Sequence, residues 1–369
     1  MFLDSFLITL TVAAISALLY PSVRAIYSMM KIVDTPSWRK KKTELIPLGG
    51  GMILVLSFIL GIIAVKIYFP DQIEFHPIFY LGIFVCFITG TIDDSFDLRA
   101  SVKFFIQLIL ALVTINAFDL RLYVFDGLFG VEFLPEYLSW TLTVIYFLVF
   151  INMFNLIDGI DGLAVAVSLV GLAFLSGTMI VENNIGFYTM ILILIGSMTV
   201  LLVNNFKHDK MFLGDAGSLT LGYVMAVFIL IAISRADEVM PLSDYARYAP
   251  IYAMCIFWYP LFDVVRVMVF RLLDGRSPFS PDRRHLHHLL VDRGYSHLTA
   301  TITVVLTTLF ITILSFYLSW FMQVNFSPVA AINLTFFVML GVCWIVAYLF
   351  FVGWPINLMP PKTNLKKRI

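Results

Sequence analysis

Carboxylates gather at three places in this chain, each among residues suited to phosphate chemistry. The run Thr91-Ile92-Asp93-Asp94-Ser95-Phe96-Asp97 sets acids at i, i+1 and i+4, so on one helical turn two of them share a face. Adjacent carboxylates repel unless a divalent cation, a basic group or protons compensate. Magnesium is the usual cation where phosphate oxygens complete the shell. Alone, the same run would also serve as a solvated helix end. The stretch 152–162 carries Asn152, Asn155, Asp158-Gly159 and Asp161-Gly162. Two Asp-Gly turns present both acids, and two amides stand ready for hydroxyl or base edges, although a plain turn between helices needs only one such pair.

The third stretch runs from Lys207 to Ser218. Gly214 and Gly217 let backbone approach a ligand closely. The helix that follows offers free N–H groups to an anion, and a phosphate beside Asp215 needs a metal between them. Phe212 reads either as a stacking platform or as an interfacial aromatic. A fourth stretch, Arg271 to His297, is basic and includes Ser277-Pro278-Phe279-Ser280-Pro281-Asp282-Arg283-Arg284-His285-Leu286-His287-His288. Zinc asks for four ligands at other spacings, and the arginines oppose a cation. A phosphate clamp of bidentate Arg and donating His suits the run better, with a surface basic patch as the plainer account. Asp263 and Arg266, at i and i+3, read as a buried pair behind that strip.

The elements that carry these groups are membrane spans. Sixty per cent of residues are hydrophobic, 13% are charged and mean hydropathy is +0.94, which excludes an ordinary soluble domain. About twenty apolar residues cross a bilayer, and stretches of that kind lie at 2–22, 48–68, 77–92, 101–118, 137–152, 162–181, 186–204, 216–234, 248–270, 299–320 and 328–352. The expected fold is therefore an all-α polytopic bundle of about 11 transmembrane helices, or ten, since the third and fifth are short. It forms one domain over residues 1–369, with no internal repeat.

An outside N-terminus leaves only Lys66, Arg121, Arg235 and Arg247 of the 24 Lys and Arg away from the cytoplasmic side. The opposite orientation strands Arg39, Lys40, Lys41 and Lys42 outside. The N-terminus is thus expected in the periplasm and the C-terminus in the cytoplasm, with cytoplasmic loops 23–47, 93–102, 152–162, 205–218 and 271–298. The opening MFLDSFLITL lacks a basic n-region and reads as a retained span. Outer loops such as 119–136 show ordinary solvated polarity. Cys86, Cys255 and Cys343 read as small buried hydrophobes.

Five motifs in order then resemble a known family, the polyprenyl-phosphate N-acetylhexosamine-1-phosphate transferases. They are Ile46-Pro47-Leu48-Gly49-Gly50, Asp93 to Asp97, Asn152 to Gly162, Phe212 to Ser218, and Ser280 to His288, and the likeness runs from about Asp34 to Gly294. The last motif resembles the branch of bacterial undecaprenyl-phosphate N-acetylglucosaminyl-1-phosphate transferases. The phospho-N-acetylmuramoyl-pentapeptide branch carries three adjacent histidines where Leu286 interrupts the run here.

The resemblance implies a multi-pass enzyme of the bacterial inner membrane whose active site faces the cytoplasm. Its partners would be undecaprenyl phosphate, a UDP-N-acetylhexosamine and the bilayer, with no nucleic acid and with a homodimer as a frequent assembly. It would release UMP and form the lipid-diphosphate sugar that initiates a cell-surface polysaccharide. The implied cofactor is Mg2+, with Mn2+ as a substitute. On the matching positions, Asp215 is the implied metal ligand. Asp93 and Asp94 either join it or deprotonate or orient the lipid phosphate, and Asp158 and Asp161 complete the acidic site. Lys103 matches the basic residue near the diphosphate. Asn155, Asn205 and Phe212 match the nucleoside set, with Phe212 on uracil. Arg283, Arg284, His285, His287 and His288 would hold phosphate or sugar. The choice of N-acetylhexosamine, the downstream polysaccharide, and direct attack against a covalent aspartyl intermediate stay open. The competing class is a transporter or flippase of an anionic lipid or nucleotide sugar. Such proteins place polar groups near the midplane, in broken helices and repeated halves.

Overall fold

Lipid offers the backbone no hydrogen-bond partner, so each apolar stretch must close its bonds within a helix. The computed structural model describes residues 2–34, 45–69, 76–181, 185–234, 245–276 and 284–349. The first half of the chain forms α1 (Phe2–Met29), α2 (Gly50–Tyr68), α3 (Pro77–Phe96), α4 (Ala100–Phe118), α5 (Glu136–Ile157) and α6 (Leu163–Val181). After these come α7 (Ile185–Asn205), α8 (Gly214–Ser234), α9 (Tyr245–Ile256), α10 (Trp258–Leu273), the short α11 (Leu286–Asp292), α12 (His297–Asn325) and α13 (Pro328–Ala347). Among the described residues, nine helices are each long and apolar enough to cross a membrane. The protein is an all-α polytopic membrane protein.

Each of the eleven stretches read from the sequence falls on helix, but the ninth is not one straight span. It consists of α9 and α10, bent by 71°. Pro260, in the first turn of α10, has no N–H for the Ile256 carbonyl four residues back, which removes one rung where the two helices meet at Phe257. The loop 119–136 is also more ordered than expected. Strands β3 (Val124–Leu128) and β4 (Val131–Phe133) form an antiparallel hairpin there. Asn333 of α13 pins it, accepting from the Phe129 N–H at 2.9 Å and donating to the Gly127 carbonyl at 2.9 Å. A second small pair, β1 (Val33–Asp34) with β2 (Ile46–Pro47), lies between α1 and α2.

Helix α8 is the axis of the bundle: 94% of its apolar window is buried inside the protein. Small residues let its neighbours close on it. A Cβ added at Gly90 of α3 would sit 2.3 Å from the Ala216 Cα, so those two backbones are in direct contact. Hydroxyl pairs bind helices elsewhere in the bundle, with Ser5 to Thr189 at 2.7 Å, Ser16 to Ser57 at 2.8 Å and Thr114 to Tyr223 at 3.1 Å. The cysteines Cys86, Cys255 and Cys343 are buried and free. Alternating spans collect the ends of α1, α3, α5, α7 and α10 with the starts of α2, α4, α6, α8 and α12, and the polar clusters lie among these ends.

Candidate active site

A helix start leaves backbone N–H groups without intrahelical acceptors, and at α8 the partner is a side chain. Gly214, at φ +73, turns the chain into the helix. Asp94 Oδ1 then accepts from the Asp215 N–H at 2.9 Å, and its Oδ2 from the Ala216 N–H at 3.1 Å. Two of the N–H groups expected to meet a ligand anion are thus taken by a carboxylate of this chain. Asp94→Ala should lower stability by about 1–2 kcal/mol, as loss of a helix cap does, and Asp94→Asn by less. Thermal unfolding in detergent measures this. An unchanged midpoint in Asp94→Ala would leave Asp94 no capping role.

Asp93, one residue earlier, faces the other way. Its Oδ1 accepts the Leu98 N–H at 2.7 Å and its Oδ2 receives Lys103 Nζ at 2.5 Å. Lys103 also lies 3.7 Å from Asp215 Oδ2. Asn155, near the end of α5, donates to Asp215 Oδ1 at 2.9 Å and to Ser218 Oγ at 3.0 Å. Four elements therefore meet at Asp215, and the Asp93 and Asp215 carboxylates are within hydrogen-bonding reach of each other. Asp97, the third acid of that run, is exposed and ends α3 in a left-handed conformation.

Around the turn between α5 and α6, Asp161 Oδ2 binds Lys210 Nζ at 2.8 Å. Its own N–H donates to His297 Nδ1 at 3.2 Å, and its carbonyl accepts Thr301 Oγ1 at 3.2 Å. His297 Nδ1 also lies 3.2 Å from the Asp161 carboxylate. Lys210 also stands 5.7 Å over the Phe212 ring. Phe212 is fixed by its backbone, donating to the Pro47 carbonyl at 2.8 Å and accepting from Gly50 N–H at 2.9 Å.

The Arg/His strip hangs on α10. Asp263, fully buried, binds Arg266 at 2.9 Å, His285 Nδ1 at 3.0 Å and the Leu286 N–H at 3.1 Å. Arg266 in turn donates to the Arg284 carbonyl, and Arg284 bonds Asp274. His287 reaches back to the acidic turn, because a Cβ on Gly159 would lie 2.6 Å from its Nε2. Burial, with His288 alongside, pushes the His287 imidazole well below its ordinary pKa despite the nearby Asp263.

Residues 76–233 match glycosyl transferase family 4. Over 314 residues the chain is 30% identical to the probable undecaprenyl-phosphate N-acetylglucosaminyl 1-phosphate transferase of Bacillus subtilis (strain 168), covering 82% of this chain and 83% of that protein. The undecaprenyl-phosphate alpha-N-acetylglucosaminyl 1-phosphate transferase of Escherichia coli (strain K12) is 30% identical over 315 residues, 81% of each chain. The chain belongs to glycosyl transferase family 4.

In this family 4 member, the matched segment holds Asp93, Asp94, Lys103, Asn155, Asp158, Asp161, Asn205, Phe212 and Asp215. The structure brings Asp93, Asp94, Lys103, Asn155 and Asp215 into one cluster, and joins Asp161 to Lys210 and His297 beside it. Asp158 is half-buried in the turn between α5 and α6. Asn205 is buried at the end of α7, and its Oδ1 has no hydrogen-bond partner among the described residues. Arg283 lies outside the described residues.

Several partnerships emerge only from the packing. Gln107 and Asn152 face each other across α4 and α5, with Asn152 donating to Gln107 Oε1 at 2.7 Å, one turn beneath Lys103 and Asn155. Ser218 shares the Asn155 amide, and His297 and Lys210 hold Asp161. No sequence spacing pairs these residues, since each contact joins different parts of the chain.

Among the described residues, no group of three or more His, Cys, Asp or Glu is arranged to hold a metal by itself. The donors do fit a cation that takes one or two carboxylates and completes its shell with phosphate oxygens. Asp93 and Asp215 are adjacent carboxylates, and the Asp215 side chain is 35% exposed against 3% for Asp93, so Asp215 presents the open side.

Proposed function

We propose that this family 4 member transfers N-acetylhexosamine 1-phosphate, first of all N-acetylglucosamine 1-phosphate, from a UDP-sugar to undecaprenyl phosphate. The observation that carries the reading is the cluster of Asp93, Lys103, Asn155 and Asp215 at the end of the bundle. There a lipid-anchored phosphate and a soluble nucleotide can meet. The names of both relatives support the same acceptor and sugar. The distribution of Lys and Arg supports a cytoplasmic site in a bacterial plasma membrane, and the product would initiate a cell-surface polysaccharide.

In this reaction an oxygen of undecaprenyl phosphate forms a bond to the sugar-bearing phosphorus. The bond from that phosphorus to the UMP oxygen breaks, and UMP leaves with the electron pair. One phosphoanhydride replaces another, so the protein's task is positioning and charge neutralisation. Lys103 lies between Asp93 and Asp215, where diphosphate charge would be neutralised. Asn155 orients the Asp215 carboxylate, Phe212 and Asn205 receive the nucleoside, and Arg284 with the histidines holds phosphate or sugar. Mg2+, or Mn2+ in its place, would be held by Asp215 with Asp93 and would supply charge stabilisation on the diphosphate.

Purified protein with undecaprenyl phosphate, Mg2+ and a panel of UDP-sugars should release UMP with UDP-N-acetylglucosamine above other donors. If none of the UDP-N-acetylhexosamines gives UMP, the proposal fails. The same panel separates transfer from the flippase reading, which requires no UMP. The position of the acids at helix ends, away from the midplane, also favours transfer.

A further inference from the structure

Tyr259 and Asp263 stand four residues apart in α10 and so share one face of it. Each holds the Nδ1 atom of one histidine. Asp263 Oδ2 lies 3.0 Å from His285 Nδ1, and the Tyr259 hydroxyl lies 3.0 Å from His287 Nδ1. The two imidazoles are nearly parallel, 13° apart in plane with centroids at 5.6 Å. All four side chains are buried.

The partner at one ring nitrogen decides what the other offers. A carboxylate only accepts, so His285 carries hydrogen on Nδ1, and its Nε2 is a lone pair when the ring is neutral. Tyr259 differs. Its oxygen faces the backbone N–H of His287, one of the first-turn N–H groups that α11 leaves without an internal acceptor. A hydroxyl that accepts there can give its own proton to His287 Nδ1, and the neutral His287 ring would then carry its proton on Nε2. That Nε2 is buried, has no partner among the described residues and abuts Gly159.

We propose that Tyr259 and Asp263 are positioning residues that give His285 and His287 opposite tautomers, so that His287 Nε2–H is aimed past Gly159 as a donor to a substrate oxygen. The identity of that oxygen's owner rests on the transfer reading above, whereas the tautomers do not. Asp263 fixes the backbone as well, because its Oδ1 takes both Arg266 and the Leu286 N–H. An Asn at position 263 must keep its oxygen there. Its amide N–H then faces His285 Nδ1 and inverts that ring.

The test uses the full-length protein in detergent with ring nitrogens of its six histidines labelled with 15N, the signals assigned through His285→Gln and His287→Gln. The expected spectrum shows Nδ1–H for His285 and Nε2–H for His287. Tyr259→Phe should move the His287 signals toward the other tautomer, and Asp263→Asn should invert His285. In the UMP-release assay, Tyr259→Phe should raise KM for the UDP-sugar about fivefold, the size of one hydrogen bond, with kcat nearly unchanged. A His287 proton found on Nδ1 in the unsubstituted protein, or His287 signals unmoved in Tyr259→Phe, would overturn the proposal. If the tautomers are as expected but no UMP forms with any donor, the transfer reading alone fails.

Discussion

Asp215→Asn should lower UMP release roughly a thousandfold at saturating substrate and Mg2+, the scale set by removing an electrostatic stabiliser of phosphoryl transfer. The substitution is nearly isosteric. An oxygen remains to accept from Asn155, now at 2.9 Å, and the backbone N–H that Asp94 holds is untouched. What is lost is the carboxylate oxygen nearest Lys103, replaced by an amide N–H. Lys103 would then pair with Asp93 alone, and the more exposed of the two carboxylates would be gone. The measurement is initial rate per folded protein, with abundance followed by size-exclusion chromatography. Near-normal turnover at saturating Mg2+ would remove Asp215 from the metal role.

Gly90→Ala should force α3 away from α8 beside the acidic cluster. The new Cβ would lie 2.3 Å from the Ala216 Cα and 2.4 Å from the Asp215 carbonyl carbon. Backbone cannot rotate aside as a side chain can, so α3 must move off α8. Overpacking of this kind costs about 1–3 kcal/mol. The displacement lies one turn from Asp93 and Asp94, and a shift near 1 Å in a positioned group costs roughly a hundredfold in rate. Gly177→Ala in α6 is the matched control, because nothing lies within 4 Å of its added Cβ. The expected result is a lowered unfolding midpoint and a collapsed rate for Gly90→Ala, with neither in Gly177→Ala. Equal behaviour of the two variants would mean that the contact of α3 with α8 does not set the site.

The spans were readable because a bilayer imposes a length and a composition on every crossing. That filter sees apolar character and little else. Hydropathy runs unbroken through Phe257, so the 71° bend stayed hidden, although Pro260 carried the signal. The hairpin at 124–133 was hidden for a related reason, since short strands outside the membrane need no sustained periodicity, and Gly127 and Gly130 were the only cue.

Of the site, residue types and order were legible, and Asp93, Lys103, Asn155 and Asp215 do converge. Their division of labour was not. Asp93 and Asp94 are neighbours in sequence, yet one meets Lys103 and the other the start of α8, and only the angle between two helices distinguishes them. Gln107, Ser218 and Tyr259 were passed over because a polar residue inside an apolar run looks the same whether it supports a site or fills a gap between helices.

The burial of α8 also bears on how the molecule is made. A ribosome delivers α2, α3 and α5 to the membrane before α8, and those helices must wait with the faces that will meet α8 toward lipid or loosely toward one another. Until α8 arrives, Asp93 and Asp94 lack Asp215 and its backbone, and the end of α3 is held near water by its own charge. Docking of α8 then joins the three carboxylates in one event. The acidic cluster therefore forms only once α8 is in place, and nascent chains cut short before residue 214 would carry half of it.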